Sequence, residues 1–300
     1  MIYNGIINVY KEPGFTSFDV IAKLRGILHM KKIGHTGTLD PDAEGVLPVV
    51  LGNATKLAEE LTDKTKTYEC LMRLGVETDT EDMGGMILKE SPVECRNEEV
   101  EKAVLSFTGD YDQVPPMYSA IKKDGKRLYE LARKGEVMDL PARKVKINEI
   151  RIESIDLPLV TMTIDCGRGT YIRSLCRDIG KMLGCGAAMQ HLKRTRSGPF
   201  FASDAHTLSE LESYARAGRA GELIAGTDSC FPNIPSAKVK SGSERFLFNG
   251  NILSKEDLEY TEDSSVFKGR IKVYDASGEF KALYVYDGER KAFKPLKMFL

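Results

Sequence analysis

An α+β fold with an inserted basic arm and a small β-rich C-terminal domain is what this sequence predicts. Three observations carry that reading. Strand-like alternation and helical apolar stripes share the stretch from Ile6 to Leu183. A polar, basic segment from about Met117 to Pro141 interrupts them. Beyond a linker marked by Pro232 and Pro235, the texture becomes that of short strands and tight turns. The expected domains are residues 1–230, carrying the arm at about 117–141, and residues 231–300.

Ile6–Tyr10 reads as an opening strand, closed by Pro13-Gly14. Thr16 or Ser17 can cap a helix whose apolar positions Val20, Leu24, Ile27 and Leu28 follow helical spacing. Asn53 can cap another, with Leu57, Ala58 and Leu61 on one face. From Thr67 to Gly75, Tyr68, Cys70, Met72 and Leu74 share one face of a strand, opposite Glu69 and Arg73. Residues 98–107 read as helix, and Leu128 with Leu131 suggests a short helix inside the arm. Leu159–Cys166 returns to strand, Gly167-Arg168-Gly169 turns, and Thr170 can cap a helix. Its buried stripe is Ile172, Leu175, Cys176, Ile179 and Leu183. In the C-terminal domain the clearest strands are Phe267–Tyr274, Ala282–Tyr286 and the end of the chain.

Composition excludes several classes of protein. With 42% hydrophobic and 29% charged residues, 300 residues can build ordinary globular cores, and disorder is not expected. No apolar run approaches a membrane span, and the first residues lack a signal peptide's pattern, so no membrane partner and a cytoplasmic location are expected. Six cysteines without a Cys-x-x-Cys pair and four scattered histidines predict buried free thiols, no metal and no redox cofactor. The net charge of −1 hides an uneven distribution. Lys122, Lys123, Lys126, Arg127, Arg133 and Lys134 crowd the arm, and Lys193, Arg194 and Arg196 form a second cluster. These runs become candidate phosphate contacts if they border the chemistry.

The chemistry centres on Gly34–Pro48. Gly34, Gly37 and Gly45 permit backbone conformations closed to other residues, and Pro41 holds Asp40 in extended or turn geometry. The loop is a rigid device for presenting one carboxylate. Arg173 supplies an independent clue. If Thr170 is the cap, Arg173 falls at the third helical position, where its charge opposes the helix dipole and calls for an anion. The acidic stretch Asp79–Asp82 lacks calcium-loop spacing and reads as a structural turn. No Gly-Lys-Ser/Thr follows the glycines, so the loop is no phosphate cradle.

The pattern Gly-His-x-Gly-x-Leu-Asp-Pro-x-Ala-x-Gly-x-Leu-Pro at residues 34–48 resembles the catalytic motif of the bacterial tRNA pseudouridine-55 synthase (TruB) family. Lys66-Thr67-Tyr68, Thr78–Asp82 with Gly84, Pro115–Ala120, Gly169–Arg173, Gly184–Ala187 and His191–Arg194 resemble further family motifs in family order. Together they span about residues 5–200. The C-terminal domain is more faintly similar to the PUA module.

The resemblance implies a pseudouridine-synthase fold with a mixed, mostly antiparallel central sheet. It also implies isomerisation of uridine 55 in the tRNA T-loop by a cofactor-free, base-flipping reaction. In its terms Asp40 is the catalytic carboxylate, Arg173 its partner and Tyr68 the tyrosine that stacks near uracil and takes its C5 proton. Leu192 packs on the base, and His35 and Tyr171 join the substrate-binding set. Lys122, Lys123, Lys126, Arg127, Lys193 and Arg194 are the expected phosphate contacts. The Arg173 pair is expected to lower the Asp40 pKa and to set its protonation state. The implied partner is tRNA, bound by a monomer through T-loop and T-stem, with the acceptor stem open to the C-terminal domain. A non-catalytic RNA-binding protein and the catalytic subunit of a guide-RNA particle are the alternatives.

Overall fold

The computed structural model describes residues 3–62, 65–119, 121–123, 125–132, 135–136, 138–260 and 269–300, leaving aside the side chains of Glu60, Lys122, Lys123, Lys126 and Arg127. Arg133, Lys134 and the Phe267 end of an expected strand therefore lie outside the described residues.

Strand β1 (Gly5–Lys11) leads to helix α1 (Ser17–Leu28), which Thr16 caps: its hydroxyl accepts from Asp19 N–H and the Asp19 carboxylate returns the bond. The short β2 (Ile33–His35), the Asp40 loop and β3 (Glu44–Leu51) follow. Asn53 is not a cap. A 3₁₀ turn from Gly52 to Leu57 precedes α2 (Ala58–Thr62), and the Asn53 N–H instead donates to Asn4 Oδ1 at 2.9 Å. Strand β4 (Lys66–Leu74) alternates buried and open positions as its sequence requires. The hairpin β5 (Val76–Thr78) and β6 (Ile87–Glu90), helix α3 (Asn97–Leu105) and strand β7 (Gly109–Gln113) come next. In the arm, β8 (Lys122–Lys123) and β9 (Lys126–Arg127) form a small hairpin before α4 (Leu128–Ala132). Two long strands, β10 (Arg143–Asp156) and β11 (Leu159–Cys166), lead to α5 (Ile172–Leu183), β12 (Ala187–Ser197), β13 (Phe200–Phe201) and α6 (Leu208–Arg216).

These strands make one mixed sheet in the order β1-β3-β12-β4-β11-β10-β7, with β2 on β3 and β13 on β12. Every pairing is antiparallel except β12 with β3, a short parallel contact of Lys193 with Glu44 and Arg194 with Gly45. That contact is the seam of the molecule. On one side, α3 and α5 bury Cys70, Met72, Met162, Ile164, Leu175 and Ile179 against the sheet. On the other, α1 and α6 pack on Ile7, Val9, Leu47 and Val49.

The second sheet runs β15-β14-β16-β17-β18, built from β14 (Ser236–Val239), β15 (Leu258–Tyr260), β16 (Arg270–Tyr274), β17 (Phe280–Asp287) and β18 (Ala292–Met298). It has its own apolar cluster around Val239, Leu253, Ile271, Tyr284 and Phe293. It also covers the first sheet: Phe280, Leu283 and Phe299 pack on Ile6, Val50, Ala54 and Leu57. Strands β1 and β3 are thus buried on both faces, which explains why Gly45–Leu51 is an unbroken apolar run. Among the described residues no helix is long and apolar enough to cross a membrane.

Phe299 is 1% exposed between the two sheets, and the Asn53 side-chain amide donates to its carbonyl at 2.5 Å. Phe299→Ala is expected to cost about 3–5 kcal/mol, the usual range for emptying a buried phenylalanine site. Urea unfolding measures this; a loss under ~1 kcal/mol would mean that the two sheets do not depend on each other there.

Candidate active site

The carboxylate of Asp40 and the guanidinium of Arg173 meet in a two-point ion pair. Nε lies 2.9 Å from Oδ2, and Nη2 donates to Oδ1 at 3.1 Å. The remaining donors of the fork are also used. Nη1 donates to the Thr80 carbonyl at 2.9 Å and lies 3.6 Å from Asp82 Oδ2, and Nη2 reaches the Tyr118 carbonyl at 2.9 Å. The acidic turn is therefore more than a turn: it cradles the arginine. Its residue Glu81, at a positive φ of 64°, accepts from Ser174 Oγ at 2.7 Å and pairs with Arg177, so it also holds the first turns of α5.

The helix begins one residue later than the sequence suggests. Tyr171, not Thr170, is its N-cap, and the Gln113 side chain takes the place of a side-chain cap, accepting from Tyr171 N–H at 2.8 Å and donating to its carbonyl at 3.0 Å. Arg173 is then the second helical residue, still at the positive end of the dipole. The carboxylate and three backbone or acidic oxygens answer that charge.

Asp40 does not titrate as the sequence suggests. Its carboxyl is pushed above the usual aspartate range, with burial the main cause; Arg173 opposes and Asp82 adds to the rise. The side chain nevertheless keeps 36% of its surface exposed. Burial, rather than the partner, thus has the larger hand in its protonation.

The loop is pinned from three sides. Ser17 Oγ, at the start of α1, accepts from Leu39 N–H at 2.9 Å. Lys11, fully buried, donates to the carbonyls of Pro41 at 2.9 Å and Ala43 at 2.5 Å, and burial lowers its pKa to about 8. Arg194, 1% exposed, donates to Val46, Gly37 and Thr38 carbonyls at 2.7, 3.1 and 3.5 Å. Neither cation was assigned to the loop from sequence, although parity held the signal: Lys11 continues the inward positions Ile7 and Val9, and Arg194 that of Leu192. At Gly45, with φ of 105°, a Cβ would sit 2.2 Å from the Arg194 carbonyl, so only glycine fits there.

Tyr68 and Leu192 lie buried in one cluster with Leu39 and Ala43 of the loop, and burial raises the Tyr68 pKa. His35 ends β2 half-buried; its Nδ1 accepts from Gly37 N–H at 3.4 Å, and burial with Arg194 nearby lowers its pKa, keeping it neutral. Tyr171 is half-buried beside Arg173.

The second basic cluster needs correction. Arg194 is a buried strut and cannot reach a phosphate. Lys193 points to the opposite strand face, 3.6 Å from Glu69, and Arg196 pairs with Asp165 at 2.5 Å, so the three do not form one patch. The side chains of Lys122, Lys123, Lys126 and Arg127 lie outside the described residues. Among the described residues no cluster of metal-ligating side chains occurs.

A mixed sheet split at a parallel contact thus carries an arginine-paired aspartate on the glycine loop beside it. The fold is similar over 99% of this chain to that in a Cbf5–Nop10–Gar1 complex, at a TM-score of 0.71 and 27% identity over 85% of that chain. An H/ACA ribonucleoprotein bound to a substrate RNA containing 2′-deoxyuridine gives 0.70 and 26%, with the same coverage of both chains.

The family follows from sequence comparison. The model of the TruB family pseudouridylate synthase N-terminal domain matches residues 25–172, and that of the tRNA pseudouridylate synthase B C-terminal domain matches residues 173–226. The chain is 48% identical to tRNA pseudouridine synthase B of Lachnoclostridium phytofermentans, over 99% of this chain and all of that one. The protein of the same name from Bacillus pumilus is 39% identical, over 98% and 97%. The chain belongs to the TruB family.

Only the ionised form of Asp40 can act as a nucleophile or base. Activity should therefore fall as pH drops through a pKa above the ordinary aspartate range. Asp82→Asn removes a charge that raises Asp40, so the acid limb of kcat/KM should move to lower pH. A limb that stays put would show that Asp82 matters only for holding Arg173.

Proposed function

We propose that this chain converts uridine 55 in the T-loop of tRNA to pseudouridine. The observation that carries this reading is the two-point Asp40–Arg173 pair set against a cluster that contains Tyr68 and Leu192. The names of the curated relatives, tRNA pseudouridine synthase B, support the same substrate class.

The reaction breaks the uracil N1–C1′ bond, turns the base and rejoins it to the ribose through C5. A uridine stacked in a folded loop cannot meet Asp40, so it must leave the stack, at a cost of a few kcal/mol that backbone contacts and replacement stacking offset. Asp40 then opens the glycosidic bond, and Arg173 keeps it charged and aimed. Leu192 and Tyr68 flank the base; Tyr68 receives the C5 proton. Arg173 also holds the Tyr118 carbonyl at the base of the arm, which supports reading the arm as a grip on the T-loop. Recognition by shape and splayed bases suits a chain of net charge −1. The β-rich C-terminal region acts as a PUA-like RNA contact. One copy supplies every group named, so the acting unit is a monomer.

Similarity to solved ribonucleoproteins favours a second reading, a subunit that works with a guide RNA. Purified protein and tRNA with tritium at uracil C5 separate the two. Tritium release by the protein alone, abolished in Asp40→Asn, is the expected result. Release only in the presence of another RNA would favour the particle; none under any condition would sink the catalytic reading.

Arg173→Ala should lower the single-turnover rate by at least ~10²-fold while tRNA affinity changes by less than tenfold, because the arginine acts on the carboxylate rather than the RNA. Filter binding beside single-turnover rates decides this. Parallel losses would make Arg173 a phosphate contact.

A further inference from the structure

Arg194 leads the fully buried side chains of the described residues by size, at 1% exposed. A buried guanidinium normally has a carboxylate beside it. Its strand neighbours do pair, Lys193 with Glu69 and Arg196 with Asp165, whereas among the described residues Arg194 has no carboxylate within ion-pair distance. Its donors end on three carbonyls of the Asp40 loop and β3. Neutral carbonyls solvate the ion but leave its charge uncancelled. The remaining neighbour is Tyr68, which faces Arg194 directly across the β12–β4 ladder on the same buried side.

We propose that Arg194 is a positioning residue of the reaction: its uncancelled guanidinium, facing Tyr68 across the ladder, stabilises the phenolate that forms to accept the uracil C5 proton, while its fork fixes the Asp40 loop. This rests on the functional reading above. The step balances without a cofactor. Once C5 is joined to C1′, the C5–H proton passes to Tyr68 Oη. The C5–H electrons form the C5=C6 double bond, the N1=C6 pair returns to N1, and N1 takes a proton from solvent. Tyr68 returns its proton to solvent before the next turnover.

The groups acting on the phenol support this. Burial drives it toward the neutral form, and Arg194 is the main opposing influence, as charge and hydrogen-bond partner. The Cys166 thiol on β11 and Asp40 on the loop act with burial. Arg173 of α5 is engaged by Asp40, and Lys66 on Tyr68's own strand donates to the Thr62 carbonyl at 2.6 Å. Of these groups, Arg194 is the one set to favour the anion.

The test compares single-turnover conversion of a T-stem-loop RNA carrying protium or deuterium at the target C5, across pH. Arg194→Gln should slow conversion ~10²-fold, the usual worth of a positioned base, raise the C5 isotope effect above the wild-type value and move the rising pH limb upward. Arg194→Lys keeps the charge and should restore the isotope effect even where loop packing lowers the rate. In a Tyr68→Phe background, Arg194→Gln should add little.

A slowed Arg194→Gln enzyme with unchanged isotope effect and pH limb would overturn the proposal and leave Arg194 a strut for the loop. If Arg194→Gln fails to fold, wild type and Arg194→Lys with 3-fluorotyrosine in place of Tyr68 replace it. The more acidic phenol must move the limb downward in both, and an unmoved limb overturns the proposal. Failure of wild type to form any pseudouridine would instead refute the functional reading itself.

Discussion

Everything at this site depends on keeping one carboxylate charged inside protein. Removing Asp40 from water favours its neutral form, and Asp82 pushes the same way. Against them stand the Arg173 guanidinium and, more weakly, the Lys11 ammonium. The pair is worth keeping only if the arginine's own desolvation is met, because a buried ion pair with idle donors costs more than it returns. Arg173 meets that condition: its donors end on Asp40, Thr80, Tyr118 and the edge of Asp82. Three segments of chain converge on one planar group. Lysine could not serve them, since a point charge lacks the fork that fixes their angles.

The same logic explains how an irregular loop can occupy the interior. A loop without ladder partners leaves carbonyls that must be satisfied. Around Asp40 those carbonyls point at cations. Lys11 takes Pro41 and Ala43, and Arg194 takes Gly37, Thr38 and Val46. Each cation loses its hydration and regains it from the backbone. The loop is thereby locked to β1 and β12, the strands on either side of β3, so Asp40 takes its position from the sheet rather than from the loop's own stiffness. Ser17 adds the link to α1.

Much of this was legible in the sequence because it is local. The alternation of Tyr68, Cys70, Met72 and Leu74 fixed the inward face of β4, and the awkward dipole position of Arg173 called for an anion before any partner was known. What escaped is nonlocal. Arg194 sits among Lys193 and Arg196 in what reads as a basic patch, yet strand parity turns it inward and Lys193 outward, and a register shift between Arg194 and Arg196 separates those two. Arg143–Asp156 hides a long strand behind its charges, though Val145, Ile147 and Ile150 are buried. The expected drop in the Asp40 pKa failed for a related reason. Pairing can be inferred from two motifs, but the depth of burial belongs to the assembled core.

The Asp40 loop and the arm meet at Arg173. The Asp40 loop is anchored to the sheet through Lys11 and Arg194 and to α1 through Ser17, three contacts on three elements. The arm reaches the site through Tyr118, whose carbonyl accepts from Arg173, and the chain leading into it is held at Val114, whose carbonyl accepts from Arg177 at 3.0 Å. Arg177 in turn pairs with Glu81 of the acidic turn and, at 2.8 Å, with Asp178, and Asp178 takes the hydroxyl of Tyr111 on β7. Any shift of the arm is therefore felt first by two arginines on one helical face, four residues apart, and only through them by the carboxylate. A fork that loses the Tyr118 carbonyl keeps its two bonds to Asp40 but leaves a donor unmet in a buried place, which costs more than the bond itself was worth. The arm and the charge state of the site are coupled by that penalty, with the anchored loop as the fixed point against which the coupling acts.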